Sequence, residues 1–355
     1  MPPHYGLGVA SIPRAAVRRP ISYGITTVVA LLFIVLTPAV LPLLYLNDLV
    51  TGHTRGKRSR VWLLLGATIW FEYLGIFGAT ALWVRFLGGR INPGGWVAAN
   101  YRLEFWWCRR HLHNLRRFAG VKINLLDVDP LRGHRSIVIS RHSSHIDAIV
   151  PLTVLELADR TPCYTLKQDL QWAPAMDLVG QRTHNVWIDR TPQSGSPMIA
   201  EIEQLARDMP PDGSAVIFPE GTFRTIERHD RAIARLRRTR PELADRADRL
   251  RYVLPPRPAG TLALLHGAPD ADIVILANVG TEGRSEITDI IATIDEPHPI
   301  TVMATRYARA DVPNDDNAFT EWLVDRWLDM DDWIHAQLTA DSQATAATDH
   351  TPVEP

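Results

Sequence analysis

The chain has 355 residues, a formal net charge of −1 at pH 7 and 46% hydrophobic residues. This length allows one large domain with an attached segment, and the near-neutral charge gives no global field of the kind that binds nucleic acid. Only three of the 38 basic residues are lysines, and the arginine bias suits phosphate recognition. The two cysteines, Cys108 and Cys163, predict neither a disulfide framework nor a zinc cluster.

Two apolar runs follow a flexible N-terminus, predicted for residues 1–20. Residues 25–46 carry no charge and are long enough to cross a bilayer, although Pro38 and Pro42 would kink a helix there. The second run, residues 61–84, is interrupted by Glu72, and a charge in such a run usually faces protein or water. We therefore expect a membrane-embedded helical hairpin over residues 21–88.

The basic residues around the two runs bear on their orientation. A basic linker, residues 53–60, separates the runs, and further arginines precede the first run and follow the second. The positive-inside rule cannot place the linker and both flanks in the cytoplasm if each run crosses once. A hairpin that enters and leaves the same leaflet resolves the conflict, with the remaining domain on the cytoplasmic face of the membrane. Two full spans are the alternative.

The remaining chain alternates between strand and helix patterns. Short apolar runs at residues 136–140, 163–166, 186–188, 214–218, 272–279 and 300–307 predict strands. Amphipathic patterns at residues 96–118, 197–209 and 319–338 predict helices. This alternation predicts an α/β fold with a mixed, largely parallel sheet flanked by helices. We place this domain at residues 89–338 and expect residues 339–355 to form a disordered tail.

The first chemical motif is His142 with Asp147, directly after the predicted strand at residues 136–140. If the turn folds back, the carboxylate accepts the imidazole N–H and the other ring nitrogen can act as a base. Two other interpretations stand beside this one. Ser144 and Asp147 fit a helix capping box, and His142, His145 and Asp147 are residue types that bind zinc or iron.

A further motif, Phe218 to Thr222 (the third of four in chain order), also ends an apolar strand, and here the sequence resembles the glycerolipid acyltransferases typified by 1-acylglycerol-3-phosphate acyltransferase. His142 and Asp147 resemble the catalytic motif of that family. Phe218, Pro219, Glu220, Gly221 and Thr222 resemble its substrate-binding motif. Residues 186–190 resemble the second motif and residues 252–260 the fourth. Four motifs in order make the resemblance specific, over roughly residues 90 to 338.

The resemblance implies a fold like that of glycerol-3-phosphate acyltransferase and a role for each matched residue. His142 would be the general base and Asp147 would fix its tautomer. The implied substrate-binding residues are Arg190, Glu220, Gly221, Thr222, Arg224 and Arg257. In the family an Arg often follows the Thr directly, whereas here Phe223 takes that place and Arg224 comes next. The assignment of Arg224 to the acceptor's phosphate is weakened by this shift.

The implied reaction moves a fatty acyl group from acyl-CoA or acyl carrier protein to the hydroxyl of a lysophospholipid. The expected acceptor is 1-acylglycerol-3-phosphate, and the expected partners also include the lipid bilayer but no nucleic acid. No metal and no cofactor are expected, with acyl-CoA as co-substrate. Another lysophospholipid or a glycolipid acceptor is an alternative, as is a metal-dependent hydrolase that uses His142, His145 and Asp147.

An arginine-rich insert separates the third and fourth motifs. Residues 224–251 contain ten arginines against five acidic residues. Such a segment can be a solvated helical face. It can also dock on anionic lipid or on the phosphates of coenzyme A.

Overall fold

A computed structural model describes residues 13–53, 55–188, 195–283, 287–294 and 298–349. The chain divides into two compact units. One comprises Met1–Asn114 with Tyr164–Ile202, and the other comprises Leu115–Cys163 with Glu203–Pro355.

The first unit contains two long helices, α1 (Ala15–Val50) and α2 (Lys57–Arg85), and most of α3 (Pro93–Ala119). It also holds α5 (Pro174–Gly180) and the parallel strands β3 (Thr161–Lys167, from Tyr164 on) and β4 (Val186–Ile188). Both α1 and α2 are long and apolar enough to cross a membrane. In the most apolar 18-residue stretch of each helix, only 6% of the residues are buried. The core helix of a soluble protein would be mostly buried.

The two long helices are joined by a turn with satisfied polar groups. Asp48 is buried near the end of α1 and accepts hydrogen bonds from the Ser59 Oγ (2.7 Å) and from the backbone N–H of Ser59 (3.0 Å) and Arg58 (3.1 Å). The rings of Phe33 and Trp62 stack at 4.4 Å between centroids. These contacts hold α1 and α2 together as a hairpin.

The second unit contains five strands in the order β1 (Val121–Leu125), β7 (His298–Tyr307), β6 (Asp272–Val279), β2 (Ser136–Ser140) and β5 (Gly213–Ile217). All neighbours in this order are parallel except β6 and β7, which are antiparallel. Every residue of β2, β5 and β6 is buried, as expected for strands covered on both faces. The predicted α/β class with a mixed, largely parallel sheet is confirmed.

Further helices alternate with the strands in sequence. Along the chain they are α4 (Ile149–Leu157), α6 (Gly195–Arg207), α7 (Ile226–Thr239), α8 (Pro241–Ala247), α9 (Pro258–Gly267), α10 (Ile287–Ala292) and α11 (Asp316–Asp349). In the second unit α9 packs on β2 and β5, and α11 packs on β6. The apolar face of the amphipathic helix predicted at residues 319–338 packs in the core, with Phe319, Leu323 and Trp327 fully inaccessible to solvent. Core packing therefore explains the amphipathic pattern.

Two predicted boundaries differ from the structure. Helix α1 begins at Ala15, inside the segment predicted to be flexible, because Arg18 and Arg19 pair with Asp177 and fix the first turns. Helix α11 continues to Asp349, so most of the predicted disordered tail is helical. The tail is rich in alanine, the residue with the highest helix propensity.

Candidate active site

The candidate site lies in the second unit, at the edge formed by the carboxyl ends of β2, β5 and β6. These three strands are parallel neighbours, so the turns that follow them lie side by side. His142 follows β2, Phe218 to Thr222 follow β5, and Asn278 is near the end of β6. The sheet therefore brings together the first and third motifs predicted from the sequence.

The His142 ring packs against two aromatic rings. Its centroid lies 4.6 Å from that of Phe218 and 4.5 Å from that of Phe223, the latter in an edge-to-face arrangement. Phe223 also packs on His145, at 4.7 Å. Phe223, which stands where the family often has an arginine, thus supports both histidines.

Asp147 is fully buried and accepts four hydrogen bonds. Its Oδ2 accepts from the backbone N–H of Ser143 (2.5 Å) and Ser144 (2.7 Å) and from the Ser143 Oγ (3.0 Å), and its Oδ1 accepts from Asn278 Nδ2 (2.9 Å). Ser144 and Asp147 form the predicted capping box of a 3₁₀ helix, His145–Ala148. Burial raises the pKa of Asp147, while the nearby Arg141 opposes that shift. The proposed bond from the His142 ring to Asp147 stays a prediction.

Arg141 is a buried anchor beneath the His142 turn. One guanidinium nitrogen donates to the backbone oxygen of Asn278 and to Glu282 Oε1 (2.7 Å), and the other donates to the backbone oxygen of Tyr252 (3.1 Å). Only 2% of Arg141 is exposed. Its bonds hold the segment after β2 against the fourth motif and the end of β6.

Glu220 links three motifs through its side chain. One carboxylate oxygen accepts from the backbone N–H of His142 (2.8 Å) and the other from the backbone N–H of Leu254 (2.9 Å). Burial raises the pKa of Glu220 to about 7, although both hydrogen bonds lower it. Glu220 therefore positions the His142 turn rather than only shaping the site for a substrate.

The other predicted binding residues differ in where they lie. Gly221 adopts φ +73°, a conformation that favours glycine, and an added Cβ would lie 3.3 Å from the Arg257 guanidinium. Thr222 and Arg257 line a pocket together with Glu220. Arg224 is half-buried and is not among the described residues that line this pocket. Arg190 lies outside the described residues.

Three contributors to the site were not predicted from the sequence: Arg141, Asn278 and Thr281. Asn278 donates to Asp147, and the Thr281 hydroxyl lies 2.7 Å from the Ser143 hydroxyl. A signal was present for Asn278, because a polar side chain near the carboxyl end of a buried strand commonly faces a site. For Arg141 and Thr281 we find no comparable local signal.

The arrangement bears on the metal-dependent alternative. Across the described parts of the chain, no group of three or more His, Cys, Asp or Glu residues is placed to hold a metal ion. Asp147 is engaged by four donors, and His145 packs on Phe223. His142, His145 and Asp147 therefore do not form the ligand set that the hydrolase hypothesis requires.

Fold and site define an α/β domain with a histidine, a buried aspartate and an arginine-lined pocket at the carboxyl ends of parallel strands. Residues 110–258 match the family model described as Acyltransferase, so the chain carries an acyltransferase domain. The acyltransferase relationship predicted from the sequence is confirmed over these residues.

A solved structure, the 1-acyl-sn-glycerophosphate (LPA) acyltransferase PlsC from Thermotoga maritima, is similar at 14% sequence identity and a TM-score of 0.47. The match covers 75% of this chain and 95% of that one. A comparison with curated proteins found no significant match.

Proposed function

We propose that this protein transfers a fatty acyl group from a thioester donor to the free hydroxyl of a lysophospholipid, with His142 as general base. The observation that carries the proposal is the Glu220 carboxylate, which joins the His142 turn to the fourth motif at the edge of a pocket. The match to the acyltransferase family supports the reaction class.

The proposed chemistry needs one proton acceptor. As the acceptor's hydroxyl oxygen attacks the thioester carbonyl, neutral His142 takes the hydroxyl proton, and the thiolate leaves with a proton returned from the imidazolium. The lipid hydroxyl is itself the nucleophile, so no acyl-enzyme forms. Asp147 stabilises the imidazolium electrostatically and holds the turn, and Ser143 and Ser144 have structural roles as donors to Asp147.

The proposed donor is acyl-CoA or acyl carrier protein, and the proposed acceptor is 1-acylglycerol-3-phosphate, which would yield phosphatidic acid. Thr222 and Arg257 support an acceptor site because both line the pocket beside Glu220. Gly221 permits close backbone approach there. Arg190 and Arg224 remain proposed phosphate ligands on the family resemblance.

We further propose that α1 and α2 anchor the enzyme in one membrane leaflet on the cytoplasmic side. Exposed apolar side chains cover both helices, including Val35 and Phe77. Glu72, midway along α2, accepts a hydrogen bond from the backbone N–H of Ala175 in α5 (3.1 Å). Because Glu72 contacts protein, we place the membrane-embedded part of α2 between Lys57 and Glu72. This part is about 22 Å long, less than the roughly 30 Å of a hydrocarbon core.

The decisive experiment compares His142→Ala with wild type, using labelled acyl-CoA and a panel of lysolipids. We expect kcat to fall about 10²–10⁴-fold, the contribution typical of a general base. His145→Ala is the matched control, because His145 is a nearby, exposed histidine that also packs on Phe223.

The outcomes separate the reaction from its alternatives. Transfer that survives a chelator and the His145 change but is lost in His142→Ala supports the proposed base. Transfer that is undiminished in His142→Ala contradicts it. Loss in both variants and on chelation would support the metal-dependent reaction instead.

A further inference from the structure

A pocket of about 720 Å³ lies between α7 and the segment that leads into α9. Five arginines line it: Arg228, Arg231, Arg235, Arg240 and Arg257. Glu220 is the one acidic residue among the described residues of the lining. All of these residues belong to the second unit, and the pocket reaches Thr222 in the third motif.

Helix α7 presents one face to this pocket. Arg228, Arg231 and Arg235 have the spacing i, i+3 and i+7, which places them on one side of a helix. The same face contributes Ala232, Leu236 and Thr239, while Ile233 is buried on another face. Thr225 caps the helix by accepting from the backbone N–H of Arg228 (3.2 Å). The arginines thus project from a fixed helix.

The charges of the pocket are unbalanced. Burial lowers the pKa of Arg257, and the positive charge of Arg235 lowers it further, so two guanidinium groups stand close enough to repel each other. Glu220 neutralises little of this positive charge. Both of its carboxylate oxygens accept from backbone N–H groups, and its pKa is raised to about 7. An anion between Arg235 and Arg257 would relieve this repulsion.

Most of the remaining wall of the pocket is apolar. Leu236, Leu243, Leu254 and Val324 line it together with three prolines, Pro255, Pro256 and Pro258. Apolar groups beside a guanidinium lower the local dielectric constant and so strengthen its charge-assisted hydrogen bonds. The volume is larger than a single inorganic phosphate needs, so the chemistry fits an organic phosphate with a less polar portion.

We infer that this pocket binds the phosphate-bearing end of one of the two substrates, and that Arg231 and Arg235 of α7 hold the phosphate together with Arg257. The inference rests on the proposed function and assigns to α7 a recognition role outside the four motifs. The phosphate could come from the acceptor's head group or from the phosphoadenosine portion of coenzyme A. Both sources carry phosphate oxygens that a guanidinium group can bind with two parallel hydrogen bonds. Binding experiments distinguish them.

The test is calorimetric titration of the full-length protein in detergent with two soluble probes, glycerol 3-phosphate and adenosine 3′,5′-bisphosphate. The variant is Arg231→Gln with Arg235→Gln. The matched control is Arg237→Gln with Arg238→Gln, which removes the same charge from exposed positions of α7 outside the pocket lining. The control loses one surface ion pair, Arg237 with Asp248, of little energetic value.

We expect at least one probe to bind wild type, and its Kd to rise at least about tenfold in the pocket variant but less than about twofold in the control. Binding of glycerol 3-phosphate alone assigns the pocket to the acceptor, and binding of the bisphosphate alone assigns it to the donor. Absence of binding to wild type, or an equal loss in both variants, would overturn the inference. Thermal unfolding of each variant verifies that it is folded.

Because this measurement needs no acyl transfer, the two proposals fail separately. A protein that binds a probe through Arg231 and Arg235 but transfers no acyl group contradicts the proposed function and leaves the phosphate site intact. A protein that transfers acyl groups at the wild-type rate and KM after both pocket arginines are changed keeps the function and removes the phosphate site.

Discussion

The turns that follow the neighbouring strands β2 and β5 each contain a buried acid, but the two acids make different kinds of contact. Asp147, after β2, accepts three of its four hydrogen bonds from Ser143 and Ser144, within four residues along the chain. Glu220, after β5, accepts from His142 and Leu254, which are 78 and 34 residues away. One acid stabilises its own turn, whereas the other joins separate segments.

The comparison indicates how the work of the site is divided. Asp147 fixes the local conformation that presents His142, and Glu220 fixes where that turn lies relative to the fourth motif and the pocket. Loss of Asp147 should therefore unfold the turn, while loss of Glu220 should displace it. The following changes test that division, from the largest expected effect to the smallest.

Asp147→Ala removes the acceptor for two backbone N–H groups, the Ser143 hydroxyl and Asn278. Because buried donors without acceptors cost about 1–3 kcal/mol each, we expect the free energy of unfolding to fall by roughly 4 kcal/mol. Urea-induced unfolding in detergent micelles measures the change. Asp129→Ala is the control, since Asp129 is exposed in a surface ion pair, and it should change stability by less than about 0.5 kcal/mol. Equal effects of the two substitutions would contradict the structural role of Asp147.

Glu220→Gln should have a smaller and pH-dependent effect. The pKa of Glu220 is raised from 4.5 to about 7, so the folded state binds more protons than the unfolded state between these values. The stability that this group contributes is present below pH 4.5 and is lost as the pH rises through 7. The stability difference between wild type and Glu220→Gln should therefore decrease by up to about 3 kcal/mol from pH 5 to pH 8.

The measurement is a series of urea unfolding curves of both proteins across this pH range. Glu104, whose pKa burial also raises to about 7, titrates in both proteins and cancels in the difference. A difference that is constant with pH would show that Glu220 is not protonated in this range. Activity should fall mainly through kcat, because the His142 turn is displaced.

Phe223→Arg restores the residue that the family often has at this position and should have the smallest effect. A guanidinium near the His142 ring disfavours the imidazolium by electrostatic repulsion. We expect the acidic limb of the pH–rate profile to move down by up to about one pH unit, with a loss of rate of a few fold. Phe223→Leu removes the ring without adding charge and should leave the limb in place. A shift in both variants would attribute the effect to packing.

Much of this region could be predicted because its signals are local. Strand β2, the turn after it and the Ser144–Asp147 capping box follow from apolar runs and from residues at fixed short spacing. The bonds from Glu220 and Arg141 could not be predicted, since they connect segments whose proximity depends on the order of strands. The spacing of Arg228, Arg231 and Arg235 was visible in the sequence, but which side of α7 faces a pocket depends on α9 and α11.

The bonds of Glu220 also have a consequence for folding. Contacts over long stretches of chain form late, because the entropy of closing the intervening loop must be overcome first. The backbone of His142 is fixed by a residue 78 positions further on, and that residue is fixed by Leu254, another 34 positions later. During synthesis, the turn that carries the proposed base would therefore reach its final geometry only after the ribosome has released the chain beyond Leu254.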